Sequence, residues 1–295
     1  MPDEFTVSVI IPSLNALTLS RALDALAVQT RPPNEIVVVG RDEVNLLANY
    51  PDVVFIDTQT PVCAASARNR GIETAVGNLL LFCDSDCIPA LDWVAAHVNR
   101  HQTGEKVVGG SVALKGSNYW AQSDNVSMFH EFVPAHPPGK RHLLPTLNIS
   151  VQRDVVEQVG GMDESFPGAA AEDADWTIRM YCAGFNLFFA PEALVEHVPA
   201  RTAWTDVVRH WHNLGHNAVR VRLRYAEMLN TPAFAREALW WRLLSPLIAA
   251  KVTAGIYTQS LFWRYWRSLP VVYVTKIIYC WGAAQSVASG YAFQE

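Results

Sequence analysis

Two aspartates, Asp84 and Asp86, stand one residue apart directly after the apolar run at residues 79–83. A short apolar run of this kind is typical of a fully buried strand. The carboxylates would then lie at the carboxyl end of a strand, where open α/β sheets bind their ligands. Like charges this close repel each other, and Mg²⁺ or Mn²⁺ takes oxygen ligands that substrate phosphates often complete. The pattern therefore predicts a metal–diphosphate site, with an acidic surface turn as the alternative.

Three other polar groups could complete such a site. Arg68 offers a planar guanidinium that suits a base carbonyl or a phosphate. Glu172 and Asp173 open an acid cluster at a predicted helix start, where the helix dipole favours negative charge and one carboxylate could accept a proton from an attacking hydroxyl. His197 follows a strand-like segment and could complete the coordination of a metal held by Asp86.

The elements that would position these residues alternate along the chain. Apolar runs predict strands at residues 7–12, 35–39, 53–56 and 79–83, and helical spacing predicts helices at 17–28 and 64–74. This alternation predicts βαβ units, and hence an α/β fold with a mostly parallel sheet. Residues 132–145 are proline-rich and are predicted to be irregular throughout, with Lys140, Arg141 and His142 able to meet an anionic ligand or simply solvated.

The charged residues are distributed unevenly along the 295-residue chain, although its net charge is only −5. Residues 1–200 carry 12 Lys and Arg against 24 Asp and Glu, whereas residues 201–295 carry 11 against 4 and seven of the ten tryptophans. This favours an α/β domain over residues 1–200 and a basic, helical region over 201–295. Charges spaced among aromatic residues predict helices that lie in a membrane interface, with a spanning helix or ordinary core packing as the alternatives.

Cysteine usage and the first residues bear on the compartment. Five cysteines without a C-x-x-C pair indicate neither a disulfide framework nor a zinc knuckle. Residues 1–4 are acidic and precede a strand-like run, so no secretory signal is expected. We therefore expect a cytoplasmic protein.

The ordered motifs together resemble the family 2 glycosyltransferases, over about residues 5–200. They are Val-Ile-Ile-Pro-Ser-Leu-Asn, Ala-Arg-Asn-Arg-Gly, Phe-Cys-Asp-Ser-Asp, Val-Gly-Gly-Met-Asp-Glu and Glu-Asp-Ala-Asp-Trp. The resemblance implies an inverting enzyme with the GT-A fold. Motifs that recur in the right order are more specific than any one of them.

The resemblance also implies roles for individual residues. Asp86 and His197 would hold Mn²⁺ or Mg²⁺, and Asp173, ahead of Glu172, would be the general base. The implied nucleotide-sugar contacts are Pro12, Ser13, Asn15, Asp42, Arg68, Asp84, Ser85 and Gly110. Family members commonly carry an Asp-Asp-Gly-Ser-like turn after the second strand, and in this chain Asp42 would replace its aspartate or Arg41 would read the base instead.

The function expected from the resemblance is transfer of a single sugar, because the Gln-x-x-Arg-Trp pattern of processive synthases is missing. The donor would be a nucleotide-diphosphate sugar, with UDP favoured by frequency, and the acceptor a lipid-linked sugar or a polysaccharide. We expect peripheral contact with the inner face of the cell membrane and no nucleic-acid partner. The alternatives are a non-catalytic nucleotide-binding or scaffold protein, and a nucleotidyltransferase, which would need a Gly-rich basic loop that residues 12–17 lack.

Overall fold

A computed structural model describes residues 5–168 and 170–294. The acidic residues 1–4, on which the expectation of no secretory signal rested, lie outside the described residues. The chain forms two compact units, the first extending to Ala113 and resuming over Glu131–Val198, the second made of Leu114–His130 and the chain from Pro199 onwards. The sequence predicted a division at residue 200, and the structure adds an internal segment to the second unit.

Strands and helices alternate over the first part of the described chain, and helices alone follow the last strand. The strands are β1 Val7–Leu14, β2 Glu35–Arg41, β3 Val54–Asp57, β4 Leu79–Cys83, β5 Cys87–Pro89, β6 Val107–Ala113, β7 Gly139–Arg141, β8 Asn148–Gln152 and β9 Leu187–His197. The α-helices are α1 Leu19–Ala27, α2 Ala64–Thr74, α3 Trp93–Gln102, α4 Tyr119–Phe129, α5 Arg153–Val159, α6 Glu172–Cys182, α7 Trp204–Arg224, α8 Ala238–Tyr257 and α9 Leu269–Ser289. Short 3₁₀ helices cover Leu46–Asn49, His130–Phe132, Ala233–Arg236, Ser260–Ser268 and Tyr291–Phe293.

The first unit is built on one mixed sheet with the order β3-β2-β1-β4-β8-β6-β9-β5, and β7 pairs with β9. The strands from β3 to β4 are parallel, whereas β8 runs antiparallel to both β4 and β6. Val9, Ile10 and Leu81 are fully buried, as expected for parallel strands covered on both faces. The predicted α/β fold is confirmed, and β4 carries Asp84 and Asp86 to the carboxyl edge of the parallel strands.

One prediction about the first unit was wrong. Residues 132–145 are not irregular throughout, because Gly139–Arg141 forms β7 and pairs antiparallel with β9. The Arg141 guanidinium lies 4.7 Å from the centre of the Phe189 ring and donates to the Pro137 carbonyl. Three residues are too few to give a strand pattern in a sequence, and this strand is fixed by its tertiary partner.

The second unit packs its helices closely. A Cβ atom at Gly215 of α7 would come within 2.0 Å of the Tyr279 carbonyl of α9, and one at Gly282 of α9 within 2.0 Å of the His212 carbonyl. These glycines therefore let the two helix backbones touch. On α4 the buried Asp124 accepts from Arg201 at 2.7 Å and from the Trp211 indole at 2.8 Å.

The sequence left a membrane-spanning helix open as an alternative for residues 201–295. Among the helices that the structure describes, none has both the length and the apolar content needed to cross a membrane.

Candidate active site

Asp84, Ser85 and Asp86 form the tight connection between β4 and β5. The turn is closed by the Cys87 N–H, which donates to the Asp84 carbonyl at 2.9 Å. The end of β9 fixes it from the other side, because Val198 N–H donates to the Asp86 carbonyl at 2.8 Å. The Asp86 carboxylate consequently lies 3.4 Å from the His197 imidazole, measured from Oδ2 to Nε2. The structure thus brings together the two residues predicted to hold a metal.

Arg68 joins the strand-end carboxylates to the helix-start carboxylates. Its side chain projects from α2 and is almost fully buried, with 3% of its surface exposed. One terminal nitrogen donates to Asp84 at 2.7 Å and the other to Glu172 at 2.9 Å. The sequence predicted a contact of Arg68 with the base or diphosphate, whereas in the structure its guanidinium is engaged with protein carboxylates. Its geometry is that of a residue that positions others, and the predicted nucleotide contact stays a prediction.

Glu172 and Asp173 occupy the first turn of α6, as predicted. Glu172 is buried against Arg68, whereas Asp173 is only partly buried and accepts from the Ala174 N–H at 2.8 Å. The unpaired backbone N–H groups of a helix start favour negative charge at this position. Of the two acids, Asp173 is therefore the one that can meet a ligand from solvent.

Burial changes the acid–base properties of this cluster. It lowers the pKa of the Arg68 guanidinium, but the carboxylates of Asp84 and Glu172 outweigh that effect and leave the pKa above its usual range. Burial and the neighbouring Asp173 carboxylate raise the pKa of Glu172 to about 7, against the opposing effect of Arg68. Burial likewise raises the pKa of Asp173, while Arg68 and a backbone N–H oppose the shift. The acid pair therefore holds protons more firmly than ordinary carboxyl groups do, as a general base near neutral pH requires.

Four of the eight residues predicted to contact the nucleotide lie at the ends of β1 and β2. Because β1 and β2 are parallel neighbours, Ser13 of β1 lies beside Gly40 of β2. Asn15 accepts from the Glu43 N–H at 2.8 Å, which joins the two strand ends. The buried Ser13 hydroxyl has no hydrogen-bond partner within the described chain. A buried hydroxyl left in this way is suited to a ligand group.

Asp42 and Pro12 complete this edge. Asp42 follows β2 and its carboxylate accepts from the Leu46 and Leu47 N–H groups at 3.0 and 2.7 Å. Asp42 therefore caps the 3₁₀ helix that follows. A contact of Asp42 with the base stays a prediction, and it would use a carboxylate that already accepts these two hydrogen bonds. Pro12 lies in β1 just before Ser13.

Gly110 has a packing role that the sequence did not reveal. A Cβ atom there would come within 2.0 Å of the Ala193 carbonyl and within 2.4 Å of the Asn148 amide. The residue is buried in β6 under that amide, so glycine is required by close packing. Its predicted contact with the donor sugar stays a prediction.

The metal-binding capacity of the site follows from its donor atoms. Within residues 5–168 and 170–294, no three His, Cys, Asp or Glu side chains form a set that could hold a metal ion. Asp86 and His197 offer one carboxylate and one imidazole. This pair fits Mn²⁺ or Mg²⁺, which commonly takes its remaining ligands from substrate phosphates and water.

Sequence reasoning missed Asn148, which lies at the centre of the buried polar residues next to the site. Its side chain is fully buried and makes hydrogen bonds to Trp93, His97, Ser111 and Ala193. The only local signal is an asparagine at the start of an apolar strand. Its partners lie 37 to 55 residues away in sequence, so no local pattern identifies them.

Comparison with known proteins places the chain in a family. The profile of glycosyl transferase family 2 matches residues 8–159. Glycosyltransferase AglE of Haloferax volcanii is 31% identical over 229 residues, which cover 73% of each chain. Succinoglycan biosynthesis protein ExoM of Rhizobium meliloti is 31% identical over 147 residues, which cover 47% of each chain.

A solved structure shows the same fold. Mannosyltransferase PcManGT of Pyrobaculum calidifontis, in complex with GDP-Man and Mn²⁺, aligns over 98% of this chain and 88% of its own, with a TM-score of 0.65 and 16% identity. At that identity the likeness concerns the fold alone. The family profile covers more than half of the chain, and the match to AglE is broader still. The chain therefore belongs to glycosyltransferase family 2 and is a glycosyltransferase with the GT-A fold.

Proposed function

We propose that the chain is an inverting, metal-dependent glycosyltransferase. It moves one sugar from a nucleotide-diphosphate sugar to a hydroxyl of a lipid-linked or polysaccharide acceptor, at the cytoplasmic face of the membrane. The observation that carries the proposal is the Arg68 bridge, whose 2.7 Å and 2.9 Å contacts tie the Asp84 turn to the start of α6. The bridge holds the carboxylates that suit a metal–diphosphate next to the carboxylates that suit a general base. This supports a single site for both.

On the donor side, Asp86 and His197 would hold the cation. When bound there, Mn²⁺ or Mg²⁺ would neutralise the charge that develops on the departing diphosphate. Asp84 is held by Arg68 at the edge of the same turn, where it can accept from a ribose hydroxyl. PcManGT was solved with GDP-Man and Mn²⁺, which supports a divalent cation and adds GDP-sugars to the favoured UDP-sugars as donors to test.

On the acceptor side, Asp173 would accept the proton of the attacking hydroxyl. Glu172 is held by Arg68 and buried, so it suits the role of a neighbour that tunes Asp173. A hydroxyl is hardly ionised at neutral pH, and a positioned base contributes roughly 10²- to 10⁴-fold to the rate. Single displacement by that hydroxyl inverts the configuration at the anomeric carbon.

The second unit supports a membrane-bound acceptor. On α8, Leu243 and Leu247 are 58% and 68% exposed, and after it Trp263 and Trp266 are 63% and 65% exposed. The side chains of Arg242, Arg264 and Arg267 are also exposed among them. Surface helices normally direct polar residues outwards, and apolar side chains interleaved with arginine are typical of helices at an anionic membrane interface. The name of ExoM, a succinoglycan biosynthesis protein, supports a polysaccharide as the acceptor.

Donor binding and donor hydrolysis test the chemistry without knowledge of the acceptor. UDP- and GDP-sugars would be screened by thermal shift with Mn²⁺, and the best donor titrated into three variants. We expect Asp86→Asn to remove Mn²⁺-dependent donor binding. We expect Asp173→Asn to keep donor binding and lose donor hydrolysis by about 10²- to 10⁴-fold, because water then lacks its base. Asp154→Asn, in the first turn of α5, is the matched control and should behave as wild type.

The same experiment separates the enzyme from a non-catalytic binding protein. Slow donor hydrolysis in the presence of Mn²⁺, lost in Asp86→Asn, supports catalysis. Donor binding without hydrolysis or transfer to any acceptor extract would support the binding protein. Wild-type turnover in Asp173→Asn would refute the base assignment.

A further inference from the structure

Asn148 is a buried side chain whose hydrogen-bonding capacity is completely used. Its amide nitrogen donates to the Ser111 carbonyl at 2.9 Å and to the Ala193 carbonyl at 2.8 Å. Its amide oxygen accepts from the Trp93 indole at 2.8 Å and from the His97 imidazole at 3.0 Å. An asparagine amide has two N–H donors and two acceptor lone pairs, so all four are satisfied and its orientation is fixed.

The two carbonyls that accept from Asn148 flank a break in the pairing of β6 and β9. Gly110 pairs with Ala190, but the next residue, Ser111, pairs with Leu194. Residues 191–193 are therefore looped out of the ladder as a bulge. The Ser111 hydroxyl donates to the Pro191 carbonyl at 2.6 Å. Side chains thus supply donors to carbonyls that the interrupted ladder cannot satisfy.

The bulge decides on which face of the sheet His197 lies. Partners in parallel strands share a face, so Ala190 lies on the face of Gly110 and Leu194 lies on the face of Ser111. Gly110 and Ser111 are consecutive, so these two faces are opposite. In an uninterrupted strand, Ala190 and Leu194 would share a face because side chains alternate with a period of two. Three extra residues, an odd number, reverse the alternation. His197, in the last part of β9, is thereby placed where its imidazole reaches Asp86 at 3.4 Å.

Asn148 also touches the strand that carries the aspartates. It opens β8 and pairs antiparallel with Cys83, the residue directly before Asp84. Its backbone therefore lies against the strand that leads into the Asp84–Asp86 turn, and its side chain bonds to the bulge in the strand of His197. One residue connects the two halves of the candidate metal site.

A row of buried polar side chains holds Asn148 in place. Because His97 Nε2–H donates to Asn148, its Nδ1 accepts from the Ser150 hydroxyl at 2.8 Å. The Ser150 oxygen in turn accepts from His101 at 2.7 Å. Burial lowers the pKa of His97 to about 4 and that of His101 to about 3, so both rings are neutral at physiological pH. A fully satisfied buried network of this kind fixes one arrangement of its members.

We infer that Asn148 is a positioning residue, which fixes the β9 bulge and thereby places His197 beside Asp86. The inference rests on the proposed function only for its consequence, that His197 then contributes to metal binding. Replacement by aspartate keeps the shape but turns an oxygen towards the two bulge carbonyls, where no donor remains.

The test compares Asn148→Asp with His197→Gln and with the double variant. The first measurement is the ¹⁵N spectrum of the imidazoles in metal-free protein, in which His197→Gln identifies the His197 resonances. The second is the dissociation constant for Mn²⁺ alone, from electron paramagnetic resonance. We expect Asn148→Asp to move the His197 resonances and to weaken Mn²⁺ binding about tenfold, the lower end of the usual effect of residues that orient metal ligands. The double variant should bind Mn²⁺ no more weakly than His197→Gln alone, because Asn148 acts through His197.

Asn99→Asp is the matched control, since it makes the same change on the exposed face of α3 and should leave the His197 resonances unmoved. Unmoved His197 resonances in folded Asn148→Asp, or additive losses of Mn²⁺ affinity, overturn the inference. If His197→Gln leaves Mn²⁺ binding unchanged, the metal role of His197 fails, and the resonances alone decide the positioning role. If Asn148→Asp does not fold, Asn148→Ser decides. It removes the amide that donates to the Ser111 and Ala193 carbonyls without adding a charge, and His197 resonances that move support the inference while unmoved ones overturn it.

Discussion

The two units of the chain contrast in one feature each, a buried charged cluster in the first and an exposed apolar surface in the second. The first unit buries a charged cluster, with Arg68 between Asp84 and Glu172. The second unit exposes leucines and tryptophans, among them Leu247 and Trp266. Buried charges are tolerated only when each has a partner, so their geometry is fixed. Exposed apolar side chains act additively and without fixed geometry, so single changes should be costly in the charged cluster and mild on the exposed apolar surface.

The largest effect on stability is expected from Arg68→Met. The change leaves Glu172 buried without its cation, and breaking a buried ion pair from one side typically costs about 3–5 kcal/mol. Denaturant unfolding measures the free energy of unfolding. Arg70→Met, on the exposed side of the same helix, should change it by less than about 0.5 kcal/mol. Equal effects of the two changes would mean that the Arg68 bridge does not organise the first unit.

A smaller, additive effect is expected in the second unit. Leu243→Ser combined with Leu247→Ser should weaken binding to anionic liposomes by about 2–4 kcal/mol. A fully transferred leucine contributes about 1.5–3 kcal/mol, and Leu243 and Leu247 are 58% and 68% exposed. Cosedimentation with phosphatidylglycerol vesicles measures it. Thermal stability should be unchanged, because both side chains are exposed. Loss of stability with unchanged liposome binding would identify ordinary packing in place of a membrane surface.

The pH dependence of transfer tests the acid pair Glu172 and Asp173 of the first unit. A base with a raised pKa is protonated at low pH, so kcat/KM should rise with pH as Asp173 loses its proton, above the usual range of an aspartate because burial raises the pKa of Asp173. Glu172→Gln removes the carboxylate beside Asp173, which should lower the pKa of Asp173 and move the acidic limb to lower pH. A pH–rate profile of both proteins checks this. An unmoved limb would show that the two acids do not interact.

The smallest effects are expected for single arginines of the second unit. Arg264→Gln and Arg267→Gln should each weaken binding to anionic vesicles by about 1 kcal/mol at low salt, and the difference should vanish at high salt. The same cosedimentation assay at two salt concentrations measures it, with neutral vesicles as the control. Equal binding to anionic and neutral vesicles would contradict the electrostatic part of the membrane proposal.

The two regions also differ in what the sequence could predict. The bounds of α2 and β4 equal the predicted 64–74 and 79–83, because apolar runs between breakers are a local property. The strand β5 was not predicted, because three residues are too few to show the alternation of apolar and polar residues that marks a strand. The α4 segment falls in the second unit although it lies in the middle of the chain, and no composition change marks it.

Within the site, the sequence identified chemically active residues but not their partners. Arg68, Asp84 and Glu172 were recognised by type and motif, yet the pairing of Arg68 with Glu172 spans 104 residues and depends on the fold. Asn148 was missed for the same reason. The hydrogen-bond partners of a buried polar residue such as Asn148 lie far away in sequence. Local propensity and periodicity do not identify such partners.

The central claim is that one site holds the metal–diphosphate at Asp86 and the base at Asp173. The most direct measurement is a crystal structure with Mn²⁺ and a non-transferable donor analogue, in which the anomalous scattering of manganese locates the metal. The account predicts Mn²⁺ within coordination distance of Asp86 and the diphosphate, with the anomeric carbon open towards the Asp173 carboxylate. Mn²⁺ bound away from Asp86, or an anomeric carbon facing away from Asp173, would contradict it.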